Sequence, residues 1–276
     1  MKRHITNLKM GLFFALMLWA SITSAQQISD TNVNLLNVGP ATATVPAFDK
    51  NKAIFCPVNS FTLTASLTDI SGNTFSTYEW SEVTALGGAN VIAGQTTINL
   101  PVSNASPGYH TYRVYGTQDF GNNQLCRADA FEDFTVYVLP PLTVTASVPN
   151  ASVLKYCVDN LPVSNPIVIT ATTAFTTAPN SVFGVTDLTV SDFEYKYSFF
   201  KTDLLGNKIG PALASTTANT YTITETTPGS FKYLVEVVYT VKPACVPSYN
   251  AVVTHNSTEA TIIVTPKPGK PTITIN

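Results

Sequence analysis

Four cysteines carry most of the chemistry open to this chain: Cys56, Cys126, Cys157 and Cys245. Thiols in this number can hold a metal, attack a substrate or form disulfides. Zinc is disfavoured, because no Cys-x-x-Cys spacing occurs and only His110 and His255 follow the N-terminal region. Those two histidines lie far apart in sequence. They read as surface or strand-end residues, and no nucleophile, base and orienting group can be assembled around them. Asp129, Glu132 and Asp133 are close enough to suggest a glycosidase pair, yet they flank a loop entering a strand and read as a solvated edge. Asp69-Ile-Ser71-Gly-Asn73 alternates oxygen ligands, and Asp187 with Asp192 is a second calcium candidate. Neither has the EF-hand spacing, and Asp, Ser, Gly and Asn each favour tight turns for local backbone reasons. There is no glycine-rich phosphate loop and no nucleotide fingerprint. The expectation is a protein that is not an enzyme, with no catalytic residue, cofactor or metal.

The elements around the cysteines occur twice. Pro40-Ala-Thr-Ala-Thr44 stands sixteen residues before Cys56, and Pro141-Leu-Thr-Val-Thr145 sixteen before Cys157. Each cysteine is followed by an alternating strand (FTLTAS, IVITAT), an aromatic strand (TYEWSEV, FEYKYSFF) and a Pro-Gly-led strand (SPGYHTYRVYGT, TPGSFKYLVEVVYT). A second cysteine and a closing strand (FTVYVLP, TIIVTP) complete each copy. Two copies in register predict two modules of one fold. Four cysteines allow three pairings, and the repeat selects Cys56–Cys126 and Cys157–Cys245, one bond in each copy.

The first 25 residues read as a signal peptide. Lys2, Arg3 and Lys9 precede or flank a short apolar run, GLFFALMLWA, too short to span a bilayer, and small residues follow up to Ala25. An exported location, extracellular or at the cell surface with the periplasm as alternative, fits cysteines used as disulfides. No later stretch is long and apolar enough for a membrane helix, so no transmembrane segment is expected in the mature chain. The formal net charge is −2 and no basic cluster stands out, which argues against nucleic acid. Only 12% of residues are charged; that is too few for a disordered chain and suits a β-rich, turn-rich one.

Period-two alternation marks half-buried strands. Tyr78 and Trp80 share a face, as do Phe193, Tyr195, Tyr197 and Phe199. Tyr112 and Val114 match Tyr233 and Val235; Phe134, Val136 and Val138 match Ile262 and Val264. These alternating faces predict the two cores. About seven short strands per copy between Gly/Pro/Asn/Asp turns predict an all-β fold of two antiparallel β-sandwiches. The expected layout is a signal peptide (1–25), a polar, frayed segment (26–39), a first module (40–139), a second module (140–267) and a tail (268–276). The Leu139-Pro140-Pro141 junction is expected to be a semi-rigid hinge.

The opening Pro-x-Thr-x-Thr, the central Tyr-Glu-Trp80 and Tyr-Lys-Tyr197, the Pro-Gly-x-x-x-Tyr-x-Val strands ending at Val114 and Val235, and the closing strands resemble the tandem immunoglobulin-like (PKD-like) repeats of bacterial secreted and cell-surface proteins. The resemblance covers roughly Pro40 to Lys267. It implies a structural or adhesive role toward a surface protein or glycan. Each cysteine pair departs from the antibody pattern, since the first cysteine precedes the second strand; each bond is expected to clamp loops at one end of its sandwich.

Aromatics outside the inner faces are candidates for a binding surface: Tyr115, Phe120, Phe183 and Tyr249, with Phe120 and Tyr249 preferred because they flank Cys126 and Cys245. They support the alternative of a carbohydrate-binding accessory module of a secreted enzyme system. Asn104, Asn150 and Asn256 begin Asn-x-Ser/Thr sequons. Pro268-Gly-Lys-Pro271-Thr-Ile-Thr-Ile275 repeats the opening motif of both copies. It is expected to be the first strand of a further module, in a fragment of a longer repeat protein, or a tail paired with the edge of the second.

Overall fold

The structure is a computed structural model, and it describes residues 27–31, 36, 53–57, 60–84, 87–121, 124–180, 188–245 and 248–273. The signal segment, the first opening motif at 40–44, Phe183, Asp187 and the last three residues lie outside them. The regular structure is nearly all strand. The first repeat contributes β1 (Ile54–Phe55), β2 (Phe61–Thr64), β3 (Thr77–Val83), β4 (Ala89–Val91), β5 (Asn99–Val102), β6 (Gly108–Asp119), β7 (Leu125–Arg127) and β8 (Glu132–Val138). The second contributes β9 (Leu142–Ser147), β10 (Lys155–Cys157), β11 (Val168–Phe175), β12 (Tyr195–Thr202), β13 (Ala214–Thr216), β14 (Thr220–Thr222), β15 (Gly229–Tyr239), β16 (Tyr249–His255), β17 (Thr258–Glu259) and β18 (Ile262–Thr265). A 3-10 turn at Val190–Asp192 leads into β12.

In the first repeat, strands run β1-β8-β6-β3-β4 with β7 on β6, opposite a β2-β5 pair. In the second, one ten-stranded sheet follows the order β10-β18-β15-β16-β9-β11-β14, with β12, β13 and β17 attached off that path. The two repeats share a plan. A short strand carrying or abutting the first cysteine lies parallel to the closing strand: β1 on β8 and β10 on β18. The aromatic strand pairs antiparallel with the long Pro-Gly strand: β3 with β6 and β12 with β15.

Strand parity places the cores as expected, with one exception. Phe61, Tyr78, Trp80, Leu100, Tyr112, Val136 and Val138 are buried together. Phe193, Tyr195, Tyr197, Phe199, Tyr233, Val235, Ile262 and Val264 are buried in the second repeat. Phe134 is the exception at 39% exposed, because it lines an open groove between β2 and β8.

The second core does not stop at the repeat boundary. Tyr109, Tyr137, Ile54 and Leu139 of the first repeat, and Ile28 and Leu36 of the leading segment, belong to it. Among the described residues of the leading segment, Ile28 and Leu36 are buried. Ile28 forms an isolated bridge with Phe193; its N–H donates to the Asp192 carbonyl at 2.6 Å, and its own carbonyl accepts from Glu194 N–H at 2.9 Å. The apolar Ile28 and Leu36 supply what the polar composition of the segment concealed.

Candidate functional site: the joint between the repeats

The joint is built where the closing strand of the first repeat ends. Simple alternation in β8 would send Val136 and Val138 inward and Tyr137 to solvent. All three are buried. The start of β6 behaves likewise, with Gly108, Tyr109, His110 and Thr111 all buried. At this end the outer face of the sheet is covered too, by the second repeat. Tyr109 packs edge-on to Tyr137 at 4.7 Å between ring centres, and Tyr137 approaches Phe193 at 5.8 Å. Phe193 meets Tyr239 edge-on at 5.4 Å. Burial pushes the phenols of Tyr109, Tyr137 and Tyr239 upward, so all three stay neutral.

Backbone groups hold the junction as well. Leu139 N–H donates to the Phe55 carbonyl of its own repeat at 2.9 Å, and the Tyr239 hydroxyl of the second repeat donates to the Pro140 carbonyl at 2.7 Å. Leu139 and Pro140 are buried, so the Pro-rich junction is packed in place and is no free hinge. Pro107, Gly108 and Tyr109 pair with Asn180 across the boundary: Asn180 N–H donates to the Pro107 carbonyl at 2.7 Å, and Tyr109 N–H to the Asn180 carbonyl at 3.3 Å. Gly108 is required here. Its φ is +111°, and a Cβ would lie 2.2 Å from the Asn180 nitrogen.

A disulfide closes the joint, and it corrects the expected pairing. Cys56 is bonded to Cys245, with Cα atoms 5.4 Å apart, while Cys126 and Cys157 are thiols. Strand length explains this. In the first repeat, Phe55 pairs with Val138 and Val138 with Gly108, which sets Cys56 at the start of β6. Cys126 pairs with Gln118 near the end of β6. Ten residues of strand separate these levels, about 33 Å at 3.3 Å per residue. In the second repeat Cys157 pairs with Thr265, close to Gly229 at the start of β15, whereas Cys245 follows Tyr239 at its end. A disulfide tolerates Cα separations only to about 7 Å. Within each repeat the two cysteines stand at opposite poles.

The other candidate residues scatter. His110 is not at the surface: it is 6% exposed, with Nδ1 2.7 Å from Glu82 Oε1 and Nε2 2.7 Å from the Ser106 carbonyl. Both partners are acceptors, an arrangement that favours the doubly protonated ring. Burial opposes the charge, but the Glu82 carboxylate and the Ser106 carbonyl outweigh it and raise the pKa. His255 sits at the end of β16, its Nε2 3.1 Å from the Asn150 carbonyl. Asp133 is engaged by Arg113 through two hydrogen bonds of 2.8 and 2.9 Å, which hold it in an ion pair. Arg113 also lies over Phe131, and Arg127 over Tyr115, which covers that candidate aromatic.

Asp69 is a turn residue. Its Oδ1 accepts from the N–H groups of Ser71 and Asn73, both at 2.9 Å, and its Oδ2 from the Asn73 side chain at 3.0 Å. Asp203 makes the same turn with Leu205 and Asn207. Asp192 accepts from Thr189 N–H and caps the 3-10 turn. Phe120 is 64% exposed, whereas Tyr249 is half-buried against the joint core. The apolar groove of about 990 Å³ in the first repeat is lined by Phe55, Phe61, Phe75, Trp80, Phe131 and Phe134 among others. Sequence reasoning missed the joint itself; its signal was the unbroken apolar run around Val136–Leu139, buried on both faces.

Residues 49–126 match the family model of the K319L-like PKD domain. No curated protein matches the chain. Among solved structures, the fibronectin(III)-like modules of Clostridium thermocellum CbhA are 11% identical, with 78% of this chain and 90% of that one covered and a TM-score of 0.32. The FN1–FN3 domains of chicken CNTN1 are 10% identical, with 72% of this chain and 63% of that one covered and a TM-score of 0.26. Neither superposes closely enough to bear on function. The family match makes the first repeat similar to a PKD domain, the class of immunoglobulin-like repeat that its motifs resemble.

Proposed function

We propose that this chain is an exported, non-enzymatic repeat protein with a structural or adhesive role at the cell surface. Its two immunoglobulin-like modules would span 40–139 and 140–267 behind a cleaved signal peptide of residues 1–25. The observation that carries the reading is the stapled joint, in which Cys56–Cys245 crosses from one repeat to the other over a shared aromatic core. A disulfide with both cysteines about 5% exposed suits an oxidising compartment. Fixing the angle between two domains serves reach and presentation more than turnover. The test is fractionation of a producing cell followed by non-reducing peptide mapping. The expected product starts at Gln26, lies outside the cytoplasm and carries the Cys56–Cys245 bond. A reduced cytoplasmic product with an intact N-terminus would sink the proposal.

The exposed Phe120 keeps a second reading, a carbohydrate-binding accessory module. In that case, Phe120→Ala would abolish retention on a glycan that the wild type holds. Tyr249 contributes little to such a surface, since half of it is covered by the joint.

A further inference from the structure

We infer that Cys126 and Cys157 are the two unused halves of the staple that joins the repeats, and that they bond to each other between chains standing head to tail. The inference rests on the proposed reading of the chain as a repeat protein. Each repeat has one cysteine at each pole. Cys56 and Cys157 both end a short strand lying parallel to the closing strand, at the pole where the chain leaves the repeat. Cys126 and Cys245 both follow the long Pro-Gly strand, at the opposite pole. The joint brings the leaving pole of the first repeat onto the receiving pole of the second, and there Cys56 finds Cys245. What remains is the receiving pole of the first repeat, with Cys126 exposed, and the leaving pole of the second, with Cys157 half-buried and its Sγ 3.7 Å from the Pro266 carbonyl.

Two independent features point the same way. Both free poles present apolar side chains to solvent. Around Cys126 these are Ile70, Phe120 and Leu125, at 107%, 64% and 61% exposed. The Asp69 turn lies beside them, because Gln118, the strand partner of Cys126, donates to Asp69 at 3.2 Å. Beyond the end of β12 at the other pole stand Leu204 and Leu205, at 50% and 88%. In addition, the segment leaving the Cys157 pole carries Thr272-Ile-Thr274 just after a proline, a Thr-x-Thr like the Thr143-Val-Thr145 that opens β9 after the joint, though its proline stands one position nearer. Among the described residues 266–273 it forms no strand on the second repeat, and Ile273 is 92% exposed.

The occupant assigned to each of these poles is the opposite pole of a second copy of this chain, whose Cys126 and Cys157 stand at the positions that Cys245 and Cys56 occupy at the joint. Bond formation joins the Cys157 and Cys126 sulfurs, releases two protons and passes two electrons to a disulfide oxidant, such as oxidised glutathione, which leaves as two thiols. Repetition of a head-to-tail contact gives an open chain of molecules and not a closed dimer.

The test uses the purified protein, oxidised in a glutathione buffer at tens of micromolar, then resolved on a non-reducing gel and peptide-mapped. The expected result is a ladder of covalent oligomers in which Cys126 is cross-linked to Cys157 and Cys56 to Cys245. C126S alone and C157S alone should each remain monomeric, since neither carries both halves of the bond. A mixture of the two variants should give a heterodimer through Cys157 of one and Cys126 of the other. Monomer with both thiols free, or symmetric Cys126–Cys126 and Cys157–Cys157 links, overturns the inference while leaving the joint intact. Absence of Cys56–Cys245 from the map would instead overturn the reading on which it rests.

Discussion

Removing the staple should cost a large part of the protein's stability and uncouple its two repeats. The perturbation is C56A/C245A, chosen because both side chains are nearly buried and alanine adds no polar group. The bond closes a chain separation of 189 residues. The chain-entropy relation for a loop of this length gives about 5 kcal/mol of stabilisation, of which engineered and native bonds commonly deliver about 2–4 kcal/mol. Against a total stability on the order of 5–15 kcal/mol, this is a large fraction. The loss should also change cooperativity. Trp80 is the sole tryptophan beyond the signal segment and sits in the core of the first repeat. In the oxidised protein its fluorescence and the far-UV signal should follow one urea transition, because the joint couples the repeats. In the variant the midpoint should fall and the two probes should separate. A change below about 1 kcal/mol, in protein whose Cys56–Cys245 bond has been verified by mapping, would refute the reasoning. It would mean that the repeats unfold independently with the staple idle between them.

Gly108→Ala should be destabilising by about 2–4 kcal/mol, combining a forbidden φ with a Cβ driven into the Asn180 backbone. Gly210→Ala is the control: it also has positive φ, at +76°, but open space around it, so about 1 kcal/mol is expected by the same urea titration. Tyr239→Phe should cost about 1–2 kcal/mol, since the buried Pro140 carbonyl loses its donor; a neutral result would show that the junction carbonyl finds another partner. The His110–Glu82 contact sets a pH dependence. His110 has a folded pKa raised above its ordinary 6.5, so its contribution is present in full below that value and fades as pH rises through the folded pKa. Glu82 is lowered by its hydrogen bond to His110, so its contribution is present above 4.5 and fades as pH falls through the folded value. Stability measured from pH 4 to 9 should therefore peak between these limits, and Glu82→Gln should flatten the alkaline side.

Strand type and inner faces were legible because they are local. Period-two alternation in TYEWSEV and FEYKYSFF depends only on which side of one sheet is dry, and Tyr78, Trp80, Tyr195 and Tyr197 are buried accordingly. What alternation cannot register is a strand end that is dry on both sides. Tyr137 and Tyr109 break parity for that reason, and Ile28 is buried by a partner some 165 positions away. His110 stands near a strand end as expected, yet it is buried there and not at the surface. At the start of a strand it would ordinarily meet water, but here the Ser106 carbonyl and Glu82 enclose it. Conversely, Asp69 was legible as a turn, since the N–H donors it accepts from are two and four residues away.

The disulfide shows how a correct repeat can support a wrong pairing. Two cysteines per repeat is the count expected for a bond inside each unit, and equally for a bond from each unit to the next. Sequence separation favours neither, since entropy changes only with the logarithm of loop length. Geometry decides. β6 and β15 are twelve and eleven residues long, and each spans its repeat from pole to pole. A cysteine at the start of such a strand is tens of ångströms from one at its end, so the within-repeat bond is excluded by the length of the strand that separates its ends. Once that bond is excluded, equivalence between repeats acquires a different meaning. Any contact made by the leaving pole of one repeat with the receiving pole of the next can be made again by their counterparts. Cys56–Cys245 is one such contact, and Cys126 and Cys157 stand as thiols at the counterpart poles.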